Sequence, residues 1–312
     1  MKHLLATTTI LALSAGFAAA EVTLSGDARM GIIGGDGVDT AFTSRARVKF
    51  SMSGETDGGI AFGASFRAHN AASAASGTAG DVYISGAFGK LSMGDVDGAA
   101  AAAVGQASGV GLTGLGDFNE IAYLTGNEDP TALYEYSTGS FAGYISGNTT
   151  GDYAVGAAYT AGSFKFSAGY ESVDDGSDMT GSSWGSGGKM DFSNFFGNGA
   201  TQVVVGADAT FGAVTAKLRF ARYDEDNYDG TMDQTSLSVD YAMDALTVTA
   251  YVGTLAGGEN YSGDDASFYG VGAAYDLGGG ASVVGGYSNQ DYDDYNPSLS
   301  GSRFDLGLSF SF

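Results

Sequence analysis

The stretch RARVKFSMS at residues 45–53 places a basic or hydroxyl side chain at every second position and an apolar one between. A period of two is typical of a β-strand, because successive side chains of an extended chain point to opposite faces. One face of this strand carries three cations, too many to bury in a packed core. The two faces therefore meet different surroundings, one apolar and one aqueous.

The same alternation recurs at residues 22–32, 60–69 and 303–312. A soluble barrel would turn its apolar faces inward, but the opposite faces here carry several charges per strand, too many to bury in a packed core. The consistent solution is an inside-out barrel, with apolar side chains against lipid and polar side chains around a wet lumen.

Short and long connections alternate along the chain. Short joints such as Thr160-Ala161-Gly162-Ser163 read as tight turns on one rim, and longer Gly/Asp-rich joints belong to the other rim. The segmentation predicts an all-β, antiparallel transmembrane β-barrel of about sixteen strands, a number that leaves an aqueous channel. The longer joints are expected near residues 34–41, 70–80, 96–131, 172–200, 224–231, 255–265 and 289–301.

Composition agrees with this architecture. The chain has 52 glycines, 18 tyrosines, 19 phenylalanines and two prolines, which favours strands and turns over helices. Cysteine is absent, so disulfides and thiolate metal sites are excluded. A net charge of −23 argues against nucleic acid as a partner.

The two ends of the chain have different roles. Residues 1–20 read as a secretory signal, with Lys2, an apolar stretch and a small-residue cleavage pattern at Ala18-Ala19-Ala20. Residues 21–312 form the predicted barrel domain, and no later apolar run approaches the roughly 20 residues of a membrane helix.

Several stretches resemble the general porins of purple photosynthetic bacteria, the Rhodobacter type. The resemblance is carried by SGDARMG (residues 25–31), SRARV (44–48), FGASF (62–66), SGAFGK (85–90), YDLGGGAS (275–282) and the terminal Phe312.

This resemblance implies a homotrimer of 16-stranded barrels in the outer membrane of a Gram-negative bacterium, passing small hydrophilic solutes. It also implies that the third long loop, residues 96–131, folds into the lumen and sets acidic groups opposite a basic wall. The sequence departs from the family at Ala99–Ala103 and in the Gly-rich stretch that follows, where relatives are more acidic.

Counting residues from the predicted turns places Arg29, Arg47 and Arg67 at one height, with Arg45 one inward position higher and Arg303 on the neighbouring last strand. Like charges at this spacing repel, so facing carboxylates are expected to offset them. We expect this basic wall to set ion preference, the alternative being that arginine is one polar choice among several. The candidate carboxylates are Asp95, Asp97, Asp117, Glu120, Glu128 and Asp129.

Two structural alternatives remain open from the sequence. The segment 96–131 is either an exposed loop or one folded into the lumen. The acidic runs at residues 224–226, 264–265 and 291–294 are either solvated surface or calcium ligands, which would also bridge to anionic lipopolysaccharide. No other cofactor is expected.

The predicted function is a general diffusion pore for small hydrophilic solutes and ions. The main alternative is a substrate-selective channel on the same scaffold, which would show a track of stacked aromatics; the segment 96–131 has only Phe118 and Tyr123. An adhesive or structural barrel would need a plugged lumen. An enzyme is disfavoured, because the barrel domain offers a single histidine, His69, and no nucleophile motif.

Overall fold

The computed structural model describes residues 20–69, 80–126, 131–174, 199–225, 230–257, 265–292 and 300–312. These residues form one closed antiparallel barrel of sixteen strands, in which consecutive strands pair and the last pairs with the first. The predicted fold class and strand number are confirmed. The strands are β1 (Glu21–Gly35), β2 (Val38–Glu55), β3 (Ala61–His69), β4 (Asp81–Gly86), β5 (Gly89–Gly94), β6 (Thr131–Thr138), β7 (Phe141–Gly147), β8 (Tyr153–Ala161), β9 (Phe164–Val173), β10 (Ala200–Phe211), β11 (Val214–Glu225), β12 (Thr231–Met243), β13 (Leu246–Gly257), β14 (Ala266–Gly278), β15 (Ala281–Asp291) and β16 (Gly301–Ser311).

One helix, α1 (Ala99–Val104), lies between β5 and β6 in the described part of the chain. No helix among the described residues is long and apolar enough to cross a membrane. The predicted signal at residues 1–20 falls almost wholly outside the described residues.

The barrel closes through the two ends of the chain. Met30 on β1 lies opposite Leu308 on β16. Beyond the last strand, Gly26 and Phe312 exchange backbone hydrogen bonds of 3.2 and 2.9 Å. Closure leaves no strand of the sheet with an unpaired edge, so the fold needs no disulfide.

The alternation seen in the sequence separates two faces of the wall. Apolar side chains at every second position are exposed, as Val22 and Leu24 are on β1, and the positions between them carry polar groups or glycine. This exposed apolar surface recurs on the other strands, for example at Val82, Ile145, Phe166, Val205, Leu237, Val252, Val271 and Leu306.

Two connections differ from the prediction. The expected long joint near residues 34–41 is a two-residue turn at Asp36-Gly37, and strand pairing continues up to it. Asp-Gly is a strong hairpin signal because Gly accepts the positive φ that such turns need, and Gly37 has φ +68°. A connection at residues 148–152 went unpredicted; the Asn148 side chain accepts hydrogen bonds from the backbone N–H groups of Thr150, Gly151 and Asp152.

The buried apolar core is shared between the residues that connect β5 to β6 and inward-facing residues of the strands. Ala99, Val104, Leu115, Phe118 and Ile121 are all buried. A barrel of this width is not filled by its own wall, so this connection contributes to the packing.

Candidate functional site

Residues 95–126, called here the inner segment, lie inside the barrel. Their hydrogen bonds reach side chains of eight strands: β1, β7, β9, β10, β11, β12, β15 and β16. The contacted side chains alternate with exposed apolar ones, as Ser236 and Ser238 flank Leu237 on β12. In a closed barrel, only a segment within the lumen reaches the polar face of so many strands.

The first half of the inner segment, called here the outgoing limb, contains α1. This helix packs on the wall through small residues. The Ala99 N–H donates to the Ser146 hydroxyl of β7 at 2.8 Å. A Cβ on Gly156 of β8 would lie 2.6 Å from the Ala103 Cβ, and one on Gly169 of β9 would lie 2.5 Å from the Ala100 Cβ. The helix therefore sits closer to β8 and β9 than any side chain larger than glycine would allow.

Beyond α1 the limb crosses to the opposite side of the barrel. The Ser108 N–H donates to Ser238 of β12 at 2.8 Å, and its hydroxyl donates to Asp240 at 2.6 Å. At the far end, the Thr113 N–H and hydroxyl donate to Asp305 of β16 at 2.6 and 2.8 Å.

The second half of the inner segment, called here the return limb, is held mainly by hydrogen bonds to its backbone. The carbonyls of Leu115, Asn119 and Glu120 accept hydrogen bonds from side chains of β15 and β12. The Ala122 carbonyl accepts from both Gln202 and Tyr223, at 2.7 and 2.8 Å. Both limbs of the inner segment are thus bonded to the wall.

Glu171 of β9 anchors the end of the return limb. Its carboxylate is fully buried and accepts hydrogen bonds from the Leu124 N–H at 2.6 Å and the Thr125 hydroxyl at 2.7 Å. Tyr123 beside it donates its hydroxyl to the Gly105 carbonyl, tying the two limbs together. Burial, and then the nearby Glu171 charge, raise the pKa of Tyr123, so this hydroxyl stays a donor.

Three of the predicted basic residues come together on β1 and β2, and are called here the arginine patch: Arg29, Arg45 and Arg47. Arg29 lies directly opposite Arg45 across the strand pair, and Arg47 lies two residues further along β2. Arg29 also donates to the Leu112 carbonyl of the inner segment at 3.2 Å. The patch therefore faces the lumen where the inner segment ends its outward crossing.

The other two predicted basic residues lie apart from the patch. Arg67 of β3 is opposite Lys49 of β2, one inward position below Arg47. Arg303 of β16 is opposite Gly35, six residues along β1 from Arg29, or about 20 Å along the strand. Its guanidinium lies over the Phe118 ring, 5.9 Å from the ring centre. The placement of Arg303 in the same patch was therefore wrong, because the register of β16 was unknown from sequence.

The predicted acidic residues are dispersed. Asp95 and Asp97 stand exposed at the start of the inner segment. Asp117 lies near enough to Arg29 to interact with its charge, and Glu120 offers its backbone carbonyl to Gln234. Glu128 and Asp129 lie outside the described residues.

Asp27 of β1 is the carboxylate that bonds the patch directly, and sequence reasoning missed its role. It lies opposite Arg47 in the register and accepts hydrogen bonds from both Arg45 and Arg47. The signal that would have found it is the Asp36-Gly37 turn. A two-residue turn there sets the β1–β2 register to within one residue, which brings Asp27 level with Arg47.

Among the described residues, no group of three or more His, Asp or Glu side chains is arranged to hold a metal ion. The acidic runs at residues 224–226, 264–265 and 291–294 fall partly outside the described residues. Calcium binding there stays a prediction.

A closed sixteen-stranded barrel with an apolar outer face, a polar inner face and a segment bonded within its lumen defines a transmembrane channel of the β-barrel class. A family model described as Gram-negative porin matches residues 6–295. A porin of Rhodobacter capsulatus is 39% identical over 331 residues, covering 94% of this chain and 100% of that protein.

Solved structures agree with these sequence matches. A refined porin structure superposes with a TM-score of 0.75 at 37% identity, covering 94% of this chain and 100% of that one. A triple mutant of Rhodopseudomonas blastica porin has the same fold, with a TM-score of 0.65 at 21% identity over 93% of this chain and 100% of its own. The chain belongs to the Gram-negative porin family, and it is an outer-membrane protein.

Proposed function

We propose that this porin passes small hydrophilic solutes and ions by passive diffusion, through a lumen that the inner segment narrows to one side. The observation that carries the proposal is the bonding of both limbs of the inner segment to β1, β7, β9–β12, β15 and β16. The arginine patch keeps access to lumen water, since the side chains of Arg45 and Arg47 are 31% and 23% exposed. The diffusion path then runs between the inner segment and the wall formed by β1–β3.

A substrate-selective channel is the second candidate, and the aromatic residues count against it. Phe118 is buried and stacks on Phe268 of β14, with ring centres 5.3 Å apart. Tyr123 is engaged with Gly105. Both aromatics of the inner segment therefore serve to hold it in place rather than to line a track for a sugar or peptide.

A homotrimer is part of the proposal. β4 and β5 have six residues each, fewer than the roughly nine to eleven with which a strand crosses the hydrocarbon layer. This low part of the wall is poorly suited to face lipid over the full thickness of a membrane, and contact with neighbouring copies would cover it. Lipopolysaccharide bridged by calcium at the acidic connections remains a further expectation.

Single-channel recording of the refolded protein in a planar bilayer tests the function. We expect large, long-lived steps that rise in threes and scale almost linearly with salt concentration. Small conductance blocked by one sugar or peptide would favour the selective channel. If the protein forms verified barrels that conduct no current, the proposed diffusion function is refuted.

A further inference from the structure

We propose that Asp27 determines the ion selectivity of the pore, by masking the charge of two of the three arginines in the patch. The proposal rests on the diffusion function above and specifies which residue of the wall sets its preference.

The geometry of Asp27 joins both arginines of β2 to one carboxylate. The Arg47 Nε lies 2.8 Å from one carboxylate oxygen and 3.0 Å from the other. The Arg45 Nη2 lies 3.2 Å from Asp27 Oδ1. Charge-assisted hydrogen bonds of this kind hold the two guanidinium groups against the wall.

The patch nevertheless has more donors than Asp27 accepts. The Nε atoms of Arg29 and Arg45 are buried without a hydrogen-bond partner. Three guanidinium charges stand against one directly bonded carboxylate, a local charge of +2. The Asp27 side chain is 39% exposed, so permeating ions meet its charge as well as those of the arginines.

The inner segment contributes the charge of Asp117, which interacts with Arg29, but the part of the segment that crosses to the patch carries none. No charged residue occurs from Ala99 to Gly116, and the group that meets Arg29 is the Leu112 backbone carbonyl. Asp305, on the neighbouring strand, is engaged by Thr113 through two hydrogen bonds. Asp27, in the wall itself, is therefore the carboxylate that bonds directly to two arginines of the patch.

Removing the Asp27 charge raises the local charge from +2 to +3 and releases Arg45 and Arg47 toward the lumen. One unit charge about 5 Å from a monovalent ion in water alters the local ion concentration roughly fourfold. Screening by salt reduces this value. We expect the potassium-to-chloride permeability ratio to fall about two- to fourfold on neutralising Asp27.

The experiment compares reversal potentials in a KCl gradient for the wild type, Asp27→Asn and a matched control, Asp233→Asn. Asp233 is also paired with an arginine, Arg222, through two hydrogen bonds, but it flanks the inward-facing Gln234 and so lies on the outer face of the wall. Both variants remove one carboxylate from an ion pair. Only Asp27→Asn is expected to shift the reversal potential toward chloride.

Two further variants separate charge from structure. Asp27→Glu keeps the charge and should retain wild-type selectivity. The double variant Asp27→Asn with Arg47→Gln restores the local charge of +2 and should return the reversal potential most of the way to wild type. If Asp27→Asn fails to form channels, Arg47→Gln alone takes its place, and we expect it to shift the ratio toward potassium.

Equal reversal potentials for wild type, Asp27→Asn and Asp233→Asn would overturn the assignment while leaving the pore intact, and so would an unshifted Arg47→Gln. Absence of conductance in the wild type would instead refute the diffusion function.

Discussion

The two sides of the lumen differ in the residues that line them. They are called here the charged side, on β1 and β2, and the glycine side, on β8 and β9. On β1 and β2 the wall presents long charged side chains, Arg29, Arg45, Arg47 and Asp27, with part of their surface open to water. On β8 and β9 it presents glycines, and the backbone of the inner segment lies directly on them. We infer that the first side sets the ion preference of the channel and that the second fixes how far the inner segment extends into the path.

The packing of α1 on the glycines of β8 and β9 also explains why this part of the inner segment is a run of alanines. Ala100 and Ala103 fit against Gly169 and Gly156, where a larger residue on either partner would separate the helix from the wall. Close packing of small residues leaves no room for a hydrated charge. The absence of acidic groups from residues 99–103 therefore follows from the close packing of α1 on β8 and β9.

The largest effect is expected from a substitution that disrupts the packing of α1 on β8 and β9. In Gly156→Val, the new Cβ would clash with the Ala99 carbonyl oxygen and would lie 2.6 Å from the Ala103 Cβ. Overpacking of this kind costs about 2–3 kcal/mol. Because the barrel wall is hydrogen-bonded independently, α1 moves toward the lumen, and single-channel recording should give smaller, noisier steps.

Gly143→Val is the control for Gly156→Val. Gly143 lies on β7, where a new Cβ would meet the nearest atom, in the Phe141 ring, at an ordinary 3.5 Å. We expect the conductance of this variant to match the wild type. If the Gly156→Val channel has wild-type conductance and noise, the packing of α1 on β8 and β9 does not control the width of the channel.

Features that depend on a single segment, such as the strands and the arginines of the charged side, are predicted well from the sequence. The strands follow from alternation, which is a property of each segment alone, so β2 could be predicted from residues 45–53 without its neighbours. The arginines were found because basic residues are rare in this chain. Their number and their inward positions needed no knowledge of pairing.

Contacts between strands were harder to predict, because they depend on register. Asp27 and Arg47 are twenty residues apart, and they meet only because Asp36-Gly37 turns the chain tightly. Treating residues 34–41 as a long loop hid that register. Arg303 was misplaced for the same reason, and the burial of Glu171 depends on the path of the inner segment, which no local pattern encodes.

An intermediate effect is expected at Glu171, which holds the return limb on the glycine side. Glu171→Gln replaces one acceptor oxygen by an NH₂ group that faces the Leu124 N–H or the Thr125 hydroxyl. A buried donor left unsatisfied costs about 1–2 kcal/mol. We expect faster proteolysis within residues 95–126 and more frequent brief closures of the channel.

Glu135→Gln provides the comparison for Glu171→Gln. Glu135 is 31% exposed and pairs with Lys90 at 3.3 Å, and such pairs contribute about 0–1 kcal/mol. Proteolysis at the wild-type rate in both variants would show that Glu171 does not anchor the return limb.

The smallest effect is expected at Asp36, in the turn above the charged side, where the carboxylate accepts hydrogen bonds from the Ser302 N–H at 2.9 Å and hydroxyl at 2.8 Å. These bonds lower the pKa of Asp36 below its ordinary value. Since the pKa is lower in the folded state, the stabilisation is present at neutral pH and is lost as the pH falls through the folded pKa.

The midpoint of thermal unfolding should therefore be slightly lower for Asp36→Asn than for wild type at pH 7. The gap should close well below the ordinary aspartate pKa of about 3.9. Asp39→Asn, on the same hairpin, removes an equal charge and is expected to leave the midpoint unchanged. If the difference between the two unfolding midpoints is the same at pH 7 and well below the aspartate pKa, Asp36 acts on the β1–β16 junction through turn conformation and not through its charge.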